Sequence, residues 1–225
     1  MSRADTLFSQ EDRQRINKAI GQAESKTSAE IVPVVAANSG RYDRPEDIVG
    51  LWFALVALIA VWQLYPLPTG EAGRWGEPSA GWQLLAFVVA IVVGFIVGAW
   101  IGSRVDWLRR LFTPRDQMRE EVIGRARTVF FDQRVHHTAG ASGVLLYVSL
   151  FEHMTTVVCD QSVLDALGQE RIDAICAEFT NCLRSGSITD AFCTTAVHVG
   201  ELLESHLPRG AVDVDELDNA LIVID

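Results

Sequence analysis

Six histidine and acidic residues in the second half of the chain have the side-chain types to do chemistry. They border segments that are predicted to be strands, so all six could converge at one end of a sheet. Imidazole and carboxylate groups together can bind a divalent cation such as calcium, and a bound cation can activate water to attack a phosphomonoester. The alternative is that they are solvated loop residues, with the last of them capping a helix or a turn. They are Asp132, His136, His137, Glu152, His153 and Asp160.

The short motifs of familiar catalytic sites are missing from the sequence. It contains no phosphate-binding P-loop, no HExxH metal motif, no CxxC pair and no GxSxG nucleophile elbow. Four cysteines lack the spacing of a zinc site, and we expect reduced thiols that pack in a core. Because no nucleophile can be named, the sequence favours a non-catalytic function. The cysteines are Cys159, Cys176, Cys182 and Cys193.

The charge of the chain argues against nucleic acid as a partner. The formal net charge is −10, whereas a nucleic-acid binder needs a basic face to neutralise phosphates. Residues 135–225 hold three Arg and no Lys against fourteen Asp and Glu. An anionic substrate would be repelled there, which disfavours phosphate chemistry.

Two uncharged apolar runs in the first half of the chain predict a transmembrane hairpin. They span residues 48–65 and 82–103, and each approaches the roughly 20 residues that a helix needs to cross a bilayer. The alternative is a pair of buried core helices. Aromatic residues towards the ends of both runs favour the membrane. These are Trp52, Trp62, Tyr65, Trp82 and Trp100.

Basic residues near the ends of the two runs predict the orientation. Seven arginines flank the outer ends, whereas the connecting loop 66–81 contains only Arg74. The positive-inside rule therefore predicts a two-pass protein of the inner (plasma) membrane with both termini in the cytoplasm. Four of these arginines, Arg104, Arg109, Arg110 and Arg115, would lie at the membrane surface, close to anionic lipid. The seven are Arg41, Arg44, Arg104, Arg109, Arg110, Arg115 and Arg119.

A row of small residues recurs at intervals of four along the second run. Such a row lets another helix backbone approach closely. Its partner is either the first helix of the same hairpin or a further chain, in a homo-oligomer or a complex with another membrane protein. The row consists of Ala90, Gly94, Gly98 and Gly102.

The polar segments before and after the hairpin predict a single α/β domain. A helix opens at Ser9 and runs to about Lys26, and a strand follows at 29–37, where Pro33 favours an edge position. After the hairpin we expect a helix at 115–134, an antiparallel strand pair, two helices and a loosely ordered acidic tail. The lone first strand must pair with the later ones. The later segments are 144–151 and 155–159 (strands), 169–183 and 188–206 (helices), and 210–225 (tail).

Four short motifs resemble the TPM domain family, which is named for a thylakoid-lumen phosphatase, a photosystem II repair protein and a nicotinic-receptor accessory subunit. They are Gly-Val-Leu-Leu at 143–146, the turn Glu152-His153, a strand that ends at Asp160, and Arg184-Ser185-Gly186. The resemblance implies an α/β/α sandwich with a small mixed sheet, but no single activity. In some members, acidic residues at strand ends bind calcium or serve a proposed phosphatase activity. Ser142 stands where the family usually has an acidic residue.

Together these patterns predict an integral membrane protein. Residues 1–47 and 104–209 form a cytoplasmic TPM-like domain, interrupted by a transmembrane hairpin at 48–103 and followed by an acidic tail at 210–225. We expect a non-catalytic accessory or assembly factor for membrane protein complexes. The alternative is a metal-dependent phosphatase of the acid type.

Overall fold

The computed structural model describes residues 4–40, 42, 44–64, 80–138, 140–210, 217 and 219–224. Contacts divide the chain into two compact units, one formed by Met1–Gly40 with Asp116–Asp225 and the other by Arg41–Arg115. The predicted loop 66–81 lies almost wholly outside the described residues, and Arg41, Tyr65 and all acidic residues of the tail lie outside them.

The first unit contains a mixed sheet of four strands. These are β1 (Glu30–Ala36), β2 (Gly143–Ser149), β3 (Met154–Cys159) and β4 (Ile222–Ile224), in the spatial order β3-β2-β1-β4. β1 runs parallel to β2 and β4, whereas β2 and β3 form an antiparallel hairpin. The prediction that the strand before the apolar runs pairs with the strands after them is confirmed.

Helices cover both faces of this sheet, because side chains alternate along each strand. On one face, Ile31 and Val35 pack with α1 (Gln10–Glu24), α6 (Gln161–Leu167), α7 (Gln169–Ser185) and α8 (Ile188–Glu204). On the other face, Val32 and Val34 pack against α5 (Arg115–Asp132). The predicted α/β class is confirmed. Helix α6 has no counterpart among the predicted elements.

Side-chain caps begin two of the helices where the sequence predicts them. Ser9 and Asp12 form a reciprocal capping box at α1, and the Ser187 hydroxyl accepts the Asp190 N–H at α8. The two starts also contact each other, because Arg15 pairs with the Asp190 carboxylate at 2.6 Å. Short-range signals in the chain thus determine where these helices start.

The edge position predicted from Pro33 is wrong, because β1 lies between β2 and β4. The N–H groups of Ile31 and Ala37 both point to the β4 side, where they donate to Glu24 Oε1 and to the Ile224 carbonyl, each at 2.8 Å. By alternation the Pro33 nitrogen faces the same side. The ladder with β4 begins only at Val34, so proline removes no donor that β4 needs.

The tail prediction also needs correction at its end. Residues 222–224 form β4 and pair in parallel with residues 34–36 of β1. Leu221, just before the strand, is buried in the larger core. The apolar run 220–224 is long enough to predict a buried strand, and it was missed because it follows the acidic residues of the tail.

The second unit consists of α2 (Arg44–Leu64), α3 (Ala80–Arg104) and α4 (Asp106–Phe112). Two of these helices, α2 and α3, are long and apolar enough to span a membrane. Only 17% and 6% of their apolar windows is buried, which disagrees with the alternative of buried core helices. The unit extends to Arg115, beyond the 48–103 predicted for the hairpin, because α4 packs against α2 and α3.

Candidate functional site

The β2–β3 hairpin divides the six candidate residues between two ends of the sheet. Ser149 pairs with Met154 near the turn, and Val144 pairs with Cys159 at the opposite end. Glu152 and His153 lie in the turn, whereas Asp160 follows β3 at the far end. A strand of this length separates the ends by about 20 Å. The six residues therefore do not converge at one end of the sheet.

At the far end, Asp160 contacts backbone. It occupies the N-cap position of α6 but makes no side-chain cap, and its Oδ2 instead accepts the Gly143 N–H at 3.3 Å. Burial raises the pKa of Asp160, while the Gly143 N–H and the nearby His136 oppose the increase. The carboxylate thus holds the start of β2 beside the end of β3.

His136 belongs to a cluster of aromatic rings at the same end. Its ring centroid lies 4.9 Å from that of Phe131 and 6.0 Å from that of His137. The Nδ1 atom of His136 is buried and has no hydrogen-bond partner among the described residues. His137 and Asp132 are exposed. Within the described ranges, no group of three or more His, Cys, Asp or Glu residues is placed to hold a metal ion.

Ser142, at the position where the TPM resemblance implies an acidic residue, is buried and bonded to backbone. Its hydroxyl donates to the Ser28 carbonyl at 2.8 Å, and its N–H donates to the Thr138 hydroxyl at 3.0 Å. The side chain therefore joins the loop before β2 to the segment before β1. A charged carboxylate could not donate to that carbonyl.

The other end of the sheet carries a buried polar network that the sequence analysis did not find. The Glu152 carboxylate accepts the N–H groups of Ser39 at 2.8 Å and Gly40 at 3.3 Å. It also accepts the Ser149 hydroxyl. Glu152 is only 3% exposed. The network joins the residues that follow β1 to the turn after β2.

The hydroxyl groups of this network form one directed chain. The Ser39 hydroxyl donates to Ser149 at 2.8 Å and lies 2.9 Å from the Tyr147 hydroxyl. Because each hydroxyl has one proton, Tyr147 must donate to Ser39, Ser39 to Ser149, and Ser149 to Glu152. Hydrogen bonds in such a chain polarise one another and strengthen the chain.

Tyr147 keeps its proton in this arrangement. Burial raises the pKa of its hydroxyl, while the nearby Arg125 acts in the opposite direction. The tyrosine is fully buried, as is Ser149. The network is thus suited to holding a loop in place. Alternating polar residues in β2 were the signal available in the sequence, since Tyr147 and Ser149 share one face of the strand.

The glycine row of α3 packs against α2 of the same hairpin. A Cβ atom built at Gly98 would lie 2.6 Å from the Phe53 Cβ and 2.8 Å from the Val49 carbonyl oxygen. At Gly94 it would lie 2.9 Å from the Ala57 Cβ, and Gly102 faces the start of α2. The first of the two predicted partners is the one that these glycines contact. Ala90, at the start of the row, is half-buried.

The predicted surface arginines lie around α4. Arg104 ends α3, and its guanidinium stacks over the Trp100 ring at 5.2 Å from the centroid. Arg109 and Arg110 belong to α4, where Arg110 is exposed and the side chain of Arg109 lies outside the described part. Arg115 is the first residue of α5 and is exposed.

Comparison with known proteins bears on the fold. No protein-family model matches the chain, and no curated protein matches it. The chain is similar to the NMR structure of BA42 protein from the psychrophilic bacterium Bizionia argentinensis, with 16% identity and a TM-score of 0.57. The match covers 99% of each chain. At this identity the likeness shows a shared fold and nothing about activity.

Proposed function

We propose that the protein is a two-pass membrane protein whose TPM-like α/β domain is a non-catalytic accessory or assembly factor for membrane protein complexes. One observation carries the proposal: both apolar helices lie in the connection between the parallel neighbours β1 and β2. A membrane hairpin in that position anchors the α/β domain at both points where the insertion interrupts it.

Chain connectivity supports both termini on one side of the membrane. Residues 40 and 116 belong to the same compact unit, so a hairpin between them leaves and returns on the same side. Arginine-rich flanks favour the cytoplasmic side of the inner membrane for that unit.

The arrangement of polar residues favours binding over catalysis. The histidine and acidic candidates are divided between two ends of the sheet, and Glu152 is committed to backbone N–H groups. His136 and Asp160 supply one imidazole and one carboxylate at the same end. A phosphatase would need more ligands or a nucleophile beside them.

Co-purification tests the proposal. The intact tagged protein, cross-linked in native membranes and extracted in mild detergent, is expected to carry a partner membrane protein in fixed stoichiometry or to form a defined oligomer. Light scattering gives the mass, and a tag on the partner must recover this chain in return. Ile96→Ala, which alters the exposed face of α3, is expected to weaken this complex. Gly124→Ala on α5 is the control and should leave the complex unchanged.

Two results would overturn the proposal. One is a monomer without a reciprocal partner. The other is a calcium-dependent release of phosphate from a phosphomonoester that is lost in both His136→Ala and Asp160→Asn, because that result would establish the phosphatase.

A further inference from the structure

A short helix follows the second apolar helix after a single residue in extended conformation. α3 ends at Arg104, Val105 has φ −111° and ψ 93°, and α4 spans Asp106–Phe112. The start of α2 lies at the same end of the hairpin, because Gly102 is close to Glu46. α4 therefore lies where the apolar length of the hairpin stops and polar surroundings begin.

One face of α4 exposes large apolar side chains. Trp107 is 69% exposed and Leu111 is 66% exposed. Their spacing of four residues places them on the same side of the helix. Tryptophan prefers the headgroup level of a bilayer, where its ring is in apolar surroundings and its N–H can bind a polar group.

The charges around this face are basic in an acidic chain. Residues 104–115 contain four Arg and one Asp, which is a net charge of +3 in a protein of net charge −10. Arg110 is exposed and lies about 60° around the helix from Trp107. An apolar face with an exposed arginine at its border, in a basic segment, is the pattern of a helix that lies in the plane of the interface on an anionic membrane.

We propose that α4 is an interfacial helix that inserts Trp107 and Leu111 between lipid headgroups and binds anionic phospholipid through Arg110. The inference rests on the proposed membrane insertion of α2 and α3. Continuity with the membrane helix and charge complementarity together identify the lipid surface as the occupant of this face. The helix would hold the chain against the membrane where it returns to the α/β domain.

Hydrogen exchange of the full-length protein in lipid nanodiscs tests the inference. One set of discs contains phosphatidylcholine alone, and the other contains phosphatidylcholine with phosphatidylglycerol. We expect the amides of α4 to exchange about tenfold more slowly in the anionic discs. The variant Arg110→Gln should lose most of this difference. The matched variant Arg127→Gln, at an exposed position of α5, should keep it.

The outcomes separate the two proposals. If α2 and α3 are protected in both discs but α4 exchanges equally in both, the lipid-binding role of α4 is wrong and the membrane hairpin stands. If α2 and α3 are themselves unprotected, the membrane insertion is wrong. Protection of α4 by inorganic phosphate with neutral discs would also overturn the assignment to lipid.

Discussion

The Glu152 carboxylate accepts the backbone N–H of Ser39 at 2.8 Å, across 113 residues of sequence. Glu152→Ala should lower the free energy of unfolding by about 2–4 kcal/mol, because it leaves buried donors without an acceptor. The measurement is chemical denaturation of the intact protein in detergent, followed by circular dichroism. The exposed Glu204→Ala is the control. Equal stabilities of the two variants would contradict a holding role for Glu152.

Gly143 is predicted to tolerate no side chain. A Cβ atom there would lie 2.1 Å from the Val135 carbonyl oxygen, so the backbone itself must move. Gly143→Ala should cost about 3 kcal/mol. Gly124→Ala, where a Cβ meets nothing within 4 Å, should instead stabilise α5 by about 0.5–1 kcal/mol. Melting temperatures of the two variants should move in opposite directions, and a common shift would refute this packing.

Gly98→Ile should separate the two apolar helices, because its side chain would collide with Phe53 and the backbone at Val49 and Gly50. We expect a lower melting temperature in detergent, read from size-exclusion profiles after heating. Val93→Ile, on a half-exposed position of α3, should have little effect. If Gly98→Ile changed the oligomeric mass without changing the melting temperature, the glycine row would face another chain.

The pKa values of Asp12 and Asp190 predict acid sensitivity. Hydrogen bonds from the side chains of Ser9 and Ser187 hold these pKa values below the ordinary value, and the carboxylates also interact with Arg15. Depressed values in the folded state add stability above the unfolded pKa of about 3.9, and this stability is lost as the pH falls through the folded values.

Ser187→Ala should therefore cost about 1 kcal/mol at pH 7 and less near pH 3. Denaturation curves at both pH values measure the difference. Thr194→Ala, at an exposed position of α8, should change stability by no more than about 0.5 kcal/mol at either pH. A cost for Ser187→Ala that does not vary with pH would show that the cap acts without Asp190.

Cys159 should react slowly with thiol reagents. Burial raises its pKa to about 11, so at pH 8 its thiolate fraction is on the order of 100-fold below that of a free cysteine. Alkylation with iodoacetamide, resolved by mass spectrometry, should label Cys159 rapidly only after unfolding in urea. Equal rates in the folded and unfolded protein would contradict this burial.

Elements with local signals were predictable from the sequence. The capping box at Ser9, the Ser187 cap and the β2–β3 hairpin around Glu152 all depend on residues a few positions apart. The two apolar helices could be predicted from composition alone, since the side chains of a long uncharged run prefer apolar surroundings. The α/β class could also be predicted before any contact was known, because helices and strands differ in the spacing of their apolar residues.

Contacts between distant residues were decided only by the tertiary structure. Pro33 is tolerated in an inner strand because β4 is too short to pair with its nitrogen. Residues 222–224 form β4 by pairing with β1. The antiparallel register of β2 and β3 separates Glu152 from Asp160, although both border strands.

The contact partner of a given residue likewise could not be predicted from the sequence. Ser39 meets Tyr147 and Glu152 from more than a hundred positions away, and Gly98 meets Phe53 across the hairpin. Residue type and spacing determine what a side chain can bond and which face of its own element it occupies. The group that it bonds is chosen by the packing of elements, because many distant pairs are chemically compatible and only the fold brings one of them within hydrogen-bond distance.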